Sequence, residues 1–565
     1  MKKTGEVMDA MVKWVVYVLF TIFIVFLTGI SIFGSCYVNT DEYSYFVTDN
    51  TFLHIAALLI LLTVCVLWKK YLKDKRSDKI KAVLWKSLVV IYTIGIAGIA
   101  LYVSMEPRAD QKRVIDTATA MLHGEFSEFQ KGGYMDVYPN QVGIVYLFYW
   151  ILKIFPFGYK VICVLNAVSL GVILVGMEKI GRLMFEKEQG KYMVGIMTML
   201  FFPLSCYVTF IYGNIMGMAL STMGIYLTML YFKERKNRWI VIAIVVSALA
   251  VLVKTNYLIP LIGIVIFMVL DFFRTQEKKM LGFLAGLLIL TFGITNLVQI
   301  HTEHIVGQKI SQGVPSLAWV TMGMQEGYMA CGWHNQYNKN VYRNNDCNTK
   351  KAEIEVKHDL KERIGELLSK PGYTIKFFFK KTASQWNNPT FEGFWINDLN
   401  RRQLEGKPVK KLHGVLGSIA GEPGNKMIVL YCNLFQTILL IGVCMWLLSG
   451  KGEHGIEHLL LATIFIGGFL FHLVWEAKCQ YVLSYFILLF PYAVRGYQLL
   501  LCQIEHVFVR ENRTFTERCK KNKGVTVLVI GIVCVVLFTL TGKKYIDKAM
   551  GFGNETYEIW ITDTK

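Results

Sequence analysis

Asp110 stands in the run Glu106-Pro107-Arg108-Ala109-Asp110-Gln111-Lys112-Arg113. A carboxylate in that setting can act as a general base, and the cations Arg108, Lys112 and Arg113 can hold an anionic group such as a phosphate. A local role competes with this one. Asp soon after a proline is a frequent helix cap, and basic residues beside a membrane usually meet water or lipid headgroups. Position alone favours the cap, and the two roles are compatible. Glu106, Asp116 and Asp136 are the rival carboxylates. Glu106 is one helical turn from Asp110 and suits an accessory part, whereas Asp116 falls on another face of a helix.

The elements that hold this run follow from periodicity. Val114, Ile115, Ala118, Met121 and Leu122 recur at helical spacing up to Gly124, which predicts a short amphipathic helix starting near Asp110. Around it the chain is strongly apolar: 54% of its 565 residues are apolar and 18% charged, against about a quarter charged in soluble domains. Apolar stretches of about twenty residues recur from Trp14 to Gly542, the length that crosses a bilayer. This excludes a string of soluble domains and a disordered chain, and twelve cysteines are too sparse for a disulfide scaffold. The fold class expected is an all-α polytopic membrane protein of about thirteen transmembrane helices. They are placed at 14–34, 51–68, 83–105, 159–178, 193–212, 214–232, 239–253, 255–273, 280–300, 426–449, 458–475, 480–500 and 525–542. The first stretch is of spanning length and is followed by a poor cleavage site, so it reads as a span and not a signal peptide.

The net charge of +19 is read as topology, with no nucleic-acid partner. Lys and Arg gather in short connections at 69–81, 233–238, 274–279 and 510–523, while 35–50 carries Asp41, Glu42 and Asp49 and no basic residue. The positive-inside rule then puts the N-terminus in the cytoplasm, 35–50 outside and the C-terminus outside a cytoplasmic membrane. The apolar stretch 141–156 would be only about 24 Å long as a helix, too short to span, and is expected to lie in the outer interface with Tyr146, Tyr149, Trp150 and Lys153. The organisation expected is an N-terminal hairpin (1–82), a transmembrane module (83–300) with an outside loop at 106–158, an outside cap (301–425) and C-terminal helices with an outside tail (426–565).

These residues carry a resemblance. A span feeding Glu106-Pro107-Arg108-Ala109-Asp110-Gln111, then a helix, then Gly132-Gly133-Tyr134-Met135 and Tyr138-Pro139-Asn140-Gln141, is similar to the first external loop of GT-C glycosyltransferases. The protein-O-mannosyltransferase-like group (glycosyltransferase family 39), in its bacterial form, is the nearest match. Phe210-Ile211-Tyr212-Gly213-Asn214, Lys254-Thr255-Asn256 and Glu476-Ala477-Lys478-Cys479-Gln480-Tyr481 resemble further elements of that group, with Gln480 where its pattern has Arg and Lys478 able to substitute. The resemblance implies a GT-C-like fold and transfer of a sugar, with inversion, from a polyprenyl-phosphate donor. The acceptor would be a glycan, lipid or protein of the cell envelope, outside the membrane. It implies Asp110 as the base, with Glu106 accessory, and Arg108, Arg113, Tyr138, Gln141, Tyr212, Asn214, Lys254, Glu476, Lys478 and Tyr481 around the substrates.

The cap loop adds aromatic and amide-rich segments at 315–319, 332–338 and 384–389, side chains that suit stacking on and hydrogen bonding to carbohydrate, or equally a small core. Trp333 and His334 are the acceptor-site candidates. His301 and His304 share a helix face, but no third ligand is evident, so neither metal nor cofactor is expected. Cys331 and Cys347 could pair in the outside loop. Asn554-Glu555-Thr556 is a sequon, relevant only in a eukaryotic secretory pathway. Rival readings are a polysaccharide polymerase or ligase, which would rest on Arg or His in a late outside loop, and a secondary transporter, which would show repeats and charges paired at mid-membrane.

Overall fold

The computed structural model describes residues 2–39, 42–71, 78–103, 106–184, 192–397, 422–449, 456–509 and 523–542. Asn554, the expected C-terminal tail, most of the basic segment 510–523 and residues 398–421 of the expected cap lie outside them.

The chain is an all-α polytopic membrane protein. Among the described residues, nine helices are long and apolar enough to cross a membrane, from Val7–Phe33 to Gly524–Thr541, and Thr51–Leu67, Asn237–Val253 and Leu460–Val474 are shorter apolar helices. One expected span is not a continuous helix. The stretch 193–212 is a helix at Met193–Leu200, a second at Phe202–Cys206 and a 3-10 turn at Tyr207–Thr209. Phe201 leaves the helical region, and Pro203, which has no N–H to donate, opens the next piece. Apolar composition is satisfied by such a broken segment as well as by a continuous helix.

The elements that carry the site are labelled in chain order. α1 is Lys2–Phe33, followed by the antiparallel hairpin β1 (Gly34–Val38) and β2 (Ser44–Thr48), paired from Gly34↔Thr48 to Val38↔Ser44. α2 is Ala109–Leu122, α3 Val142–Ile154, α4 Asn214–Glu234 and α5 Asn237–Val253. α6 is Thr349–Ser369, α7 Pro371–Trp386, α8 Leu460–Val474 and α9 Cys479–Phe486.

α2 forms as the periodicity predicts, burying Val114, Ile115, Ala118 and Met121 and stopping before Gly124, whose φ of 76° suits glycine. α3 has 13 residues, about 20 Å at the helical rise and short of a bilayer core. It packs closely on α5 because residue 143 is glycine: a Cβ there would lie 2.0 Å from the Leu252 carbonyl oxygen. The hairpin at 35–50 has no helical counterpart in the expected architecture. It is anchored at both edges, Cys36 N donating to Asn387 O and Ser44 N to Met329 O.

Residues 106–158 and the described part of 301–397 form one packed unit. Val314 N donates to Val137 O at 3.1 Å, Ser311 Oγ to Asp136 O at 2.7 Å, Gln308 Nε2 to Phe129 O at 2.7 Å and Arg343 to Gly132 O at 2.9 Å. The buried Asp136 carboxylate accepts from Gly132 N and the Tyr342 hydroxyl, which makes it a brace. Asp116 pairs with Lys112 on the exposed face of α2. Cys331 and Cys347 are both free thiols, so the expected pairing is not made. Cys331 sits in a bridge with Glu326, while Cys347 packs against the small core that holds Val137, Val314 and Tyr342.

Lys381 on α7 ties the late loop to the cap. It is fully buried, and its Nζ donates to the carbonyls of Gly323, Leu473 (2.9 Å) and Trp475 (2.8 Å). These are the carbonyls left over where α8 and the helix Leu317–Gly323 end. Lys381→Met should lower stability by about 2–4 kcal/mol, since it leaves buried acceptors unpaired, read as a lower unfolding temperature in detergent.

Candidate active site

The charged group at the helix ends is assembled from several parts of the chain that lie far apart in sequence. α2 begins with Arg108 as its N-cap, with no side-chain capping bond, and Asp110 lies in its first turn. Asp110 is therefore not the cap. Its exposed carboxylate accepts from the Tyr212 hydroxyl at 3.3 Å, and that hydroxyl accepts from Gln141 Nε2 at 2.9 Å. Gln111 beside it is buried and accepts from Ile211 N at 3.0 Å, locking α2 to the 207–213 turn. Gly213, at φ 76°, turns that segment into α4.

Lys254, at the end of α5, donates to Asn214 Oδ1 at 2.6 Å and to Tyr212 O at 3.4 Å, with its ammonium 4.1 Å from the centre of the Tyr212 ring. Burial pushes its pKa down to about 7, opposed by Asp110 and helped by Lys478.

The late loop between α8 and α9 supplies the other half. Glu476 is buried, accepting from the Tyr481 hydroxyl at 3.3 Å, with His334 Nδ1 at 3.9 Å. Burial raises Glu476 to about 7 against the pull of Lys478, and lowers His334, with Lys478 adding to the effect. Lys478 donates to Glu42 Oε1 at 2.7 Å. Burial would discharge it, but Glu42, Glu392 and Glu476 hold its pKa above the ordinary lysine value. Glu392 is buried, and its own pKa rises to about 7 through burial, in spite of Lys478. Trp395 joins the two halves: the Arg108 guanidinium is 4.2 Å and the Lys478 ammonium 5.0 Å from its ring centre.

The structure therefore brings together Asp110, Arg108, Gln141, Tyr212, Asn214, Lys254, Glu476, Lys478, Tyr481 and His334. Tyr138 borders the group, its ring against Tyr134 and Trp319, and its hydroxyl is raised by burial and then by Asp110 and Glu476. Three expected members are placed elsewhere. Glu106 is exposed and outside this hydrogen-bonded group. Arg113 pairs on the surface with Glu128, whose other oxygen accepts from Tyr134 N, so it braces the loop. Trp333 is fully buried with its indole N–H on Ser384 Oγ, and presents no face to an acceptor. The half-buried aromatic surface near Glu476 is the parallel stack of Trp319 on Trp475, centres 5.9 Å apart.

Glu42, Gln111, Glu392 and Trp395 were not among the expected site residues. Glu42 had a faint signal, an acid in a connection without basic residues, and Gln111 ends the run Glu106–Gln111; Glu392 and Trp395 had none. Among the described residues no cluster of three or more His, Cys, Asp or Glu side chains could hold a metal ion. His301 shares a 2.9 Å hydrogen bond with the Tyr146 hydroxyl and stacks on Trp150.

Fold and site together define a polytopic membrane protein whose charged centre lies at the helix ends. The chain belongs to the family described as a conserved hypothetical integral membrane protein, whose model matches residues 8–497. No curated protein matches it. Among solved structures it is similar to the crystal structure of ArnT from Cupriavidus metallidurans bound to undecaprenyl phosphate, with 12% identity over 77% of this chain and 82% of that one. The TM-score is 0.30, too low to carry an argument about this chain.

Proposed function

We propose that the chain is a membrane glycosyltransferase of the GT-C kind, moving a sugar from a polyprenyl-phosphate donor to a glycan, lipid or protein acceptor outside the cytoplasmic membrane, with inversion. The observation that carries the reading is one exposed carboxylate, Asp110, oriented by Tyr212 and Gln141 and facing the cations Arg108, Lys254 and Lys478 at the helix ends. Asp110 takes the proton of the acceptor hydroxyl. The acceptor oxygen attacks the anomeric carbon as the bond from that carbon to the phosphate oxygen breaks. The phosphate leaves with the electron pair, and the three cations stabilise its charge. A phosphate needs no proton to leave, so one carboxylate suffices where a glycosidase uses two. The stacked Trp319 and Trp475 offer a face for a sugar ring.

The ion pairs Arg235–Asp271 and Arg182–Glu178, each a buried carboxylate with a partly exposed arginine, lie near the helix ends opposite the site. That arrangement suits inner-surface anchoring and offers no paired charges for a transport path at mid-membrane. Membranes enriched in the protein should transfer labelled sugar from polyprenyl-phosphate donors. Uptake of a free sugar without any glycosyl transfer would overturn the proposal.

The pKa values set a pH dependence. As pH rises through about 7, Lys254 loses a positive charge and Glu476 gains a negative one. Both changes weaken phosphate binding, so donor kcat/KM should fall above about pH 7. Lys254→Arg, which stays charged, should make that fall shallower by one proton; an unchanged profile would remove Lys254 from the phosphate site.

A further inference from the structure

We propose that the corner between α6 and α7 is seated in the lipid leaflet on the site's side of the membrane, and is not part of a water-exposed cap. Three large aliphatic side chains stand out there: Leu368 is 78% exposed, Ile375 73% and Ile364 40%. Side chains on the exposed faces of the candidate spans show the same values, Ile91 at 67% and Ile289 at 72%. In an extramembrane segment such a patch marks a contact.

The occupant is identified by what α7 does next. Phe379 packs edge-on against Phe26 of α1 at 5.8 Å, Ala383 lies against Ile30, and Trp386 meets Phe465 and Phe469 of α8 at 5.2 and 5.3 Å. Phe26 and Ile30 belong to the apolar span Val7–Phe33. The C-terminal half of α7 therefore lies beside a bilayer-crossing helix at the level of its apolar residues. Ile375, one turn before Phe379 on the same side of α7, is exposed beyond the end of that contact.

Charge points the same way. Lys361 and Lys376 are exposed and Lys380 half-buried around the patch, placed to keep their stems in hydrocarbon and their ammonium groups among headgroups. Of the nearby acids Glu366 is engaged by Arg363 and Lys370, and Glu362 lies 3.7 Å from His358. The surplus is positive, as an anionic lipid surface requires. The corner is also stiff: Arg363 donates to the Tyr373 hydroxyl at 2.7 Å and to Met324 O at 2.6 Å. Through α7 the leaflet contact reaches Lys381 and Ser384, which hold the loop carrying Glu476 and Lys478.

A fluorescent amino acid incorporated at position 375, and separately at 368, tests this in the full-length protein in nanodiscs, with position 357 on the exposed first half of α6 as reference. Phosphatidylcholine labelled with a doxyl group near the headgroup should quench 375 and 368 at least twofold more than 357, and iodide should do the reverse. Iodide quenching at 375 equal to that at 357, without doxyl quenching, would place the corner in water and overturn the proposal. Protection from both quenchers would put protein on the patch, such as a second copy of the chain, and would also overturn it. Neither readout depends on sugar transfer.

Discussion

Asp110→Asn should lower the rate of sugar transfer by about 10²–10⁴-fold, the usual contribution of a positioned base, with expression and unfolding temperature unchanged. The substitution keeps the shape and the bond from Tyr212 and removes only the capacity to take a proton. Asp110 is exposed and makes no capping bond, so the fold does not depend on its charge. Glu106→Gln should have little effect, because Glu106 stands outside the group. Tyr212→Phe should be intermediate: the hydroxyl's bonds to Asp110 and from Gln141, each of about 1 kcal/mol, are lost, and the carboxylate is left less well oriented. Acceptor deprotonation is assigned to Asp110 on this pattern, and an Asp110→Asn protein with full activity would remove it.

The second large effect is expected at Lys478. Lys478→Met removes a cation from the leaving phosphate, a loss of about 3–4 kcal/mol in transition-state stabilisation, and it also strands Glu42, which Lys478 holds at 2.7 Å. Glu42 is half-buried, so stranding it costs less than the ~3–5 kcal/mol of a fully buried charge, and the single variant should be both inactive and less stable. The double variant Lys478→Met with Glu42→Gln separates the two. Its unfolding temperature should return most of the way to wild type, while transfer stays lost. Recovery of transfer in the double variant would make the Glu42–Lys478 pair structural and remove Lys478 from the phosphate site.

Much of this site was legible because its residues sit in short runs with a local logic. The helical spacing from Val114 to Met121 located α2, and the connection to Gly124 closed it. Lys254 and Glu476-Ala477-Lys478 stood out as rare charges between apolar stretches. What stayed hidden depends on contacts between distant segments. Trp333 and Trp319 look alike in sequence, each an aromatic in a polar loop, yet one is core and the other part of a half-buried stack. Arg113 looked as suited to an anion as Arg108 until the fold placed Glu128 beside it. Glu42 and Trp395 acquire meaning only when the hairpin and the cap meet the late loop. The hairpin itself was obscured because a short connection between two apolar helices carries no periodicity long enough to read. Pro203 was the one local sign that 193–212 would break.

The most direct test of the account is the fate of the donor lipid. Purified protein in proteoliposomes would be given a polyprenyl-phosphate sugar labelled in the sugar, and the lipid and acceptor fractions followed by mass spectrometry. The account predicts that wild-type protein converts the donor to polyprenyl phosphate as the label appears on an acceptor with inverted anomeric configuration, and that Asp110→Asn protein leaves the donor intact. An unchanged donor lipid in the presence of folded wild-type protein and envelope acceptors, or equal conversion by both proteins, would contradict it.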